Sequence, residues 1–216
     1  MPISSADGST CRKVSQVSVE SVRRRRLEPD ARREQILSVA IRLFGAKPYA
    51  EVSTTDVARD AGVARGLVNH YFGTKKDLYL EVVRVMLTVP EVAYEQLDQG
   101  ELPERADSIV GYFLDVVSRH STSWLAAIGA GGMAGDADVD RVIAEAVDGA
   151  ADGILRAVGM RESATPALRG MARSYVGLAI YTAQEWLQRG VLTRDQVHAL
   201  LATTLVTMVE RVFPQA

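Results

Sequence analysis

Residues Ser53 to Leu78, STTDVARDAGVARGLVNHYFGTKKDL, decide how the rest of the chain is read. Ser53 with Asp56 three positions on is a capping box, in which each side chain satisfies the other's backbone N–H and starts a helix. That helix carries Val57, Ala58 and Ala61 and closes at Gly62, a residue free to adopt a left-handed conformation. A second short helix runs from about Arg65 to Tyr71 with Leu67 and Val68 inward, and Thr74 with Asp77 caps a longer one beginning near Lys75. Two short helices either side of a glycine turn make a helix-turn-helix.

The outer face of the second helix presents Arg65, Gly66, Asn69 and His70. Arginine donates two hydrogen bonds to guanine, asparagine pairs bidentately with adenine, and glycine admits a close backbone. Arg65 and Asn69 are the expected base readers, with Gly66 and His70 beside them. Ser53, Tyr71 and Lys75 stand at helix ends, where hydroxyl, ammonium and N–H groups meet phosphates; they position rather than specify. The other reading is a packed helical corner in a ligand-binding or scaffold protein that never touches DNA. Charge separates the two. Net charge is −2, but residues 1–80 carry +5 and the remainder −7, the distribution expected of one DNA-facing end.

Outward from this stretch the pattern is helical. Asp30 to Phe44 places Ile36, Leu37, Ala40, Leu43 and Phe44 on one face, then meets Gly45 and Pro48, a stop signal. Residues 1–28 lack an apolar period and end in Arg23–Arg26, a basic arm that either attracts phosphate or is merely solvated. Downstream, Pro90 ends or kinks the fourth helix, and Pro103 opens one through Ile109, Phe113 and Val116 towards His120. Glycines 129, 131, 132 and 135 break the chain, and helices resume over Val139–Val158, Pro166–Arg189 and Thr193–Val212. No alternating strand pattern is found from Pro29 onward. The expectation is an all-α chain: a basic arm at 1–28, a three-helix helix-turn-helix domain at 29–80 and a helical bundle at 81–216.

Composition and motifs narrow the function. The first 28 residues have no apolar signal region, Cys11 is the single cysteine, and the charge-free stretch Ser121–Gly135 is shorter than the roughly 20 residues of a membrane span. A cytoplasmic protein without a membrane partner is expected. H-E-x-x-H, G-x-S-x-G and P-loop spacings are absent. Gly129, Gly131 and Ala134 fit G-x-G-x-x-A, but no strand precedes them. Asp136, Asp138 and Asp140 fail as a calcium loop because Arg141 and Val147 replace its glycine and closing glutamate. No enzyme, cofactor or metal is expected.

The turn D-V-A-R-D-A-G-V (56–63) and the ending Y-F-G-T-K-K-D-L (71–78) resemble the DNA-binding region of the TetR family. Ser53, Arg65, Gly66, Tyr71 and Lys75 match that family's DNA-contacting sites. Asn69 stands where the family commonly has tyrosine, and Ala64 where it has a capping serine or threonine. The resemblance implies a homodimer, usually a repressor, that binds a pseudo-palindromic operator and is released by a small molecule held in the C-terminal ligand-binding and dimerisation bundle. Dimerisation is then expected on the last two long helices, whose apolar stripes offer Leu168, Met171, Leu178, Leu201, Leu205 and Met208. An apolar pocket is expected around Phe113, His120, Trp124, Met133 and Tyr175, for a small, mainly apolar organic effector whose identity the residues leave open.

Overall fold

A computed structural model of the chain describes residues 29–89, 93–94, 100–129, 132–133 and 135–215. The basic arm, Pro90, Gly131 and Ala134 lie outside these. All elements among the described residues are helical.

The head follows from its local signals. Helix α1 (Pro29–Ala46) buries Ile36, Leu37, Ala40, Leu43 and Phe44, and a 3-10 turn at Tyr49–Glu51 leads to α2 (Thr54–Asp60). Ser53 Oγ accepts from Asp56 N at 3.1 Å, and Gly62 makes the turn at φ +64°. Helix α3 (Arg65–Phe72) is held by Val68 and Phe72, both buried, while Leu67 is half-buried. The Thr74–Asp77 box starts α4 (Lys75–Leu87), which runs through residue 80 without a break, so the expected domain boundary falls inside a helix.

The bundle comprises α5 (Leu102–Arg119), α6 (Ser121–Ile128), α7 (Ala137–Ala157, capped by Asp136), α8 (Pro166–Leu187, capped by Thr165) and α9 (Arg194–Thr207, capped by Thr193). A π turn at Met208–Val212 and a 3-10 turn at Phe213–Gln215 continue α9. Helix α7 packs along α8, and α5 along α9. The short α6 was not separable in the sequence. Clasped by α1 and α4, its eight residues are too short a run to show a helical period of their own.

Burial corrects the expected dimer residues. Leu168, Leu201 and Leu205 lie in the protomer's own core, Leu201 and Leu205 at 0% exposure, with no surface to offer a partner. Met171, Leu178 and Met208 are half-buried at the edge of that core. Composition also concealed one property: the helical run Arg194–Gln215 is long and apolar enough, by length and composition, to cross a membrane, and most of it is unburied.

Besides a shared apolar core that includes Ala127, Val139 and Val142, two close contacts fasten the head to the bundle. At the end of α1, Gly45 lies so close to α6 that a Cβ there would meet Ser123 Oγ at 2.2 Å and its Cα at 2.9 Å, while Ser123 Oγ donates to the Ile41 carbonyl at 3.2 Å. At the start of α4, the Lys76 ammonium reaches Asp136 at 3.0 Å and Asp138 at 2.6 Å, bridging to the N-terminus of α7. Hydrogen bonds from Lys76 hold both carboxyls below their ordinary range and raise the ammonium above its own.

The glycine contact predicts that Gly45→Ala lowers the unfolding midpoint. Overpacking costs about 1–3 kcal/mol, and the gain in helix propensity, up to about 1 kcal/mol, offsets it only in part. Gly66→Ala, whose Cβ meets nothing within 4 Å, should leave the midpoint level or raised. An unchanged midpoint for Gly45→Ala would mean α1 and α6 separate freely. The Lys76 bridge predicts a flat pH dependence through neutrality. A depressed carboxyl contributes above its ordinary 3.8 and loses that contribution as pH falls through its lowered folded value; a raised lysine contributes below 10.5 and loses it at still higher pH. The midpoint difference between the wild type and Lys76→Met should therefore match at about pH 6 and 9 and shrink below about pH 4. A steep change between those two points would assign the bridge to other groups.

Candidate nucleic-acid interface and buried cavity

The reading face of α3 is open. Arg65, Gly66, Asn69 and His70 are all exposed, on the side opposite Val68 and Phe72. Most neighbouring cations are already engaged: Arg42 with Asp60 at 2.9 Å, Arg59 with Asp56 at 2.9 Å, and Arg33 with Glu81 at 2.5 Å. Arg65 makes no ion pair among the described residues, leaving its guanidinium free for an external acceptor. His70 packs edge-on against Tyr71, with ring centroids 5.4 Å apart.

The flanking residues are less uniform than the sequence suggested. Tyr71 is half-buried against the first core. The Lys75 ammonium rests 4.1 Å from the centroid of the Tyr49 ring and 3.5 Å from the Ala50 carbonyl, so it lies at the head's surface but parked on the head itself. Ser53 has both donors committed to Asp56, its hydroxyl at 2.6 Å and its N–H at 3.2 Å. These bonds hold the Asp56 carboxyl below its ordinary range, so the box stays closed at neutral pH. The free donors at this helix end are the N–H groups of Thr54 and Thr55, which the helix leaves without an internal partner. Backbone donors carry no side-chain signature, which is why the sequence pointed to Ser53 instead.

A cavity of about 400 Å³ opens behind the head, between the end of α4 and helices α5, α6, α7 and α8. Phe113, His120, Trp124 and Tyr175 line it. Met133 does not; it packs against the first core beneath the head, because the chain after α6 turns back towards α4. Phe113 and Trp124 meet edge-to-face at 6.1 Å. The Tyr175 hydroxyl donates to the Leu201 carbonyl at 3.0 Å, and burial raises its pKa. Two further lining phenols, Tyr94 and Tyr112, are not among the expected pocket residues. Burial pushes the Tyr94 pKa up to about 12, so it is a neutral hydrogen-bonding group.

The space exists because α7 is thin where it faces inward. Ala146 and Ala150 line the cavity one helical turn apart, and Gly153 lets the Tyr94 ring lie against the backbone, where a Cβ would meet its Cζ at 2.2 Å. Helices α4 and α6 belong to both sites. Helix α4 begins just after α3 and ends with Met86 and Leu87 in the cavity wall, while α6 carries Ser123 against α1 and Trp124 and Ile128 into the cavity.

Two family models match the chain: bacterial regulatory proteins of the tetR family over residues 36–82, and the tetracyclin repressor-like C-terminal domain over residues 102–208. Over 61 residues the chain is 41% identical to the HTH-type transcriptional regulator BetI of Agrobacterium fabrum, a stretch covering 28% of this chain and 29% of that protein. Over 96 residues it is 35% identical to the HTH-type transcriptional regulator HbdR of an Aromatoleum species, 43% of this chain and 38% of that one. The chain thus spans well under half the length of these curated relatives. The similarity to a crystal structure of a tetR-family transcriptional regulator from Streptomyces coelicolor is broader: TM-score 0.68 at 25% identity, covering 88% of this chain and 87% of that one. With its head and its bundle each matched in order, this chain belongs to the TetR family and is a transcriptional regulator with a DNA-binding helix-turn-helix.

Proposed function

We propose that the chain is a dimeric, ligand-responsive repressor that binds a pseudo-palindromic operator in the cytoplasm and is released by a small organic molecule occupying the buried cavity. The observation that carries this reading is the shared use of α4 and α6, which touch both the cavity and the helices that hold α3. A ligand that prefers one arrangement of these helices shifts the spacing or orientation of the two reading heads. Arg65 and Asn69 read base edges, with Gly66 admitting the backbone and His70 beside them. Tyr71, Lys75 and the N-terminus of α2 at Ser53 hold phosphates; Lys75 leaves the Tyr49 ring to do so. Phe113, His120, Trp124 and Tyr175 contact the effector.

The partner for dimerisation is a second copy. The exposed apolar groups of the last two helices are Tyr181 at 56%, Leu200 at 43% and Val212 at 37%, with Val191 at 69% in the turn between the helices. Helical spacing sets Leu178 beside Tyr181 and Met208 two turns beyond Leu200, on the same stripe. Glycine, alanine and threonine at positions 177, 199 and 203 keep the face shallow, as a four-helix contact requires. The same helix carries Arg194, Asp195, Glu210 and Arg211, charges that suit a protein partner with a wet rim better than a bilayer.

Binding of the purified protein to the DNA flanking its own gene, at fixed salt and against unrelated DNA, tests the operator reading. Arg65→Ala should cost about 1–3 kcal/mol, roughly 5- to 150-fold, on the cognate DNA with little loss on the unrelated one. Equal weak binding to both would remove the operator assignment. For the dimer, sedimentation should give two chains for the wild type and one for Tyr181→Glu/Leu200→Glu, with operator affinity falling in parallel. A double variant that still sediments as a dimer would place the interface elsewhere.

A further inference from the structure

The cavity runs along two helices. Its walls run from Ile109 to His120 on α5 and from Ile143 to Ile154 on α7, eleven residue steps on each, or about 16 Å at 1.5 Å per residue. A volume of about 400 Å³ is room for one small organic molecule. Aliphatic side chains, among them Val116, Val117, Val147 and Ile180, dominate the walls. Tyr94 and Tyr112 stand with Ile109 and Ile154 at one end, and His120 with Trp124 and Ile143 at the other.

The walls also discriminate by charge. Among the described lining residues none is Asp, Glu, Lys or Arg. The polar atoms are hydroxyls, one indole N–H and one imidazole, and the Tyr175 hydroxyl is already spent on the Leu201 carbonyl. A carboxylate or phosphate would surrender its hydration with no counter-ion to replace it, and residues 81–216, at net −7, repel it on approach. A quaternary ammonium needs facing rings, whereas Phe113 and Trp124 turn edge-to-face and pack on each other.

We infer that the cavity takes an uncharged, elongated, largely hydrocarbon molecule whose hydrogen-bonding groups sit at its ends against Tyr112 or His120. This rests on the reading of the cavity as the effector site. The test uses the full chain and two fluorescent probes with one skeleton: N-phenyl-1-naphthylamine, which is neutral, and 1-anilinonaphthalene-8-sulfonate, which adds an anion. The neutral probe should bind one per chain, roughly tenfold or more tighter than the sulfonate. 1-Decanol should displace it; decanoate and decyltrimethylammonium should not. Ala150→Trp, which fills the cavity, should abolish the signal, and Val116→Arg should reverse the preference in favour of the sulfonate, with helical circular dichroism retained in both. If Val116→Arg does not fold, the wild-type probe pair and Ala150→Trp still decide. Tighter binding of either charged amphiphile, or neutral binding that survives Ala150→Trp, overturns the inference. The effector reading fails separately: neutral ligands that fill the cavity without changing affinity for the flanking DNA leave the ligand class standing and remove its regulatory role. A charged compound that binds there and releases DNA does the reverse.

Discussion

Without a Cβ at Gly45, α1 and α6 come close enough for Ser123 to hydrogen-bond into the α1 backbone, and this contact sets where α6 lies. It stands beside the Lys76 bridge and the packing of α4 on α7 as a link between head and bundle. Helix α6 is clasped by α1 on one side and α4 on another, and what remains of its surface, Trp124 and Ile128, becomes cavity wall. An eight-residue helix has little stability of its own. Its position is therefore dictated by its neighbours, and any change in the cavity that moves Trp124 is felt at the α1 backbone a few ångströms away.

Adjacent lysines at the start of α4 divide the electrostatic tasks of the head. Lys76 points back to Asp136 and Asp138 and ties the head to α7. Lys75 is held only by the face of Tyr49 and one long contact to a carbonyl, an arrangement that is easily exchanged for a phosphate. The net +5 of the first eighty residues already counts Asp56 and Asp60 against Arg59 and Arg42, while Arg33 and Lys76 are paired with acids outside that span, Glu81, Asp136 and Asp138. Arg65 on α3 has no such partner among the described residues.

The helix-turn-helix was legible because its signals are local: two capping boxes, a left-handed glycine and a short apolar spacing each act within four residues. The long helices were legible from their stripes, but a stripe reports that a residue is buried and not what buries it. Leu201 and Leu205 share a period with the half-buried Met208, Leu201 adjoins the exposed Leu200, and only packing separates core from outer face. Helix α6 and Met133 failed for a different reason. Eight residues beginning Ser-Thr-Ser are too short a run to show a period, and the glycines after them gave no hint that the chain returns to the head. Four of the five expected pocket residues line the cavity because bulky aromatic groups cluster where helices part. Tyr94 was missed because its place depends on an absent side chain at Gly153, eighteen residues past Gly135, the last of the chain-breaking glycines noticed.

The row Ala146, Ala150 and Gly153 separates two kinds of heredity in this molecule. None of the three belongs to the core beneath α3, so a mutation that adds or removes a methyl group there alters which compounds fit while the DNA-facing surface is inherited unchanged. Descendants of one gene can thus diverge in the chemical they answer to through single-codon steps, each surviving because it leaves the head folded. The converse route is narrower. A new DNA target needs changes on α3, where Val68 and Phe72 share eight residues with the reading face and leave little room for drift.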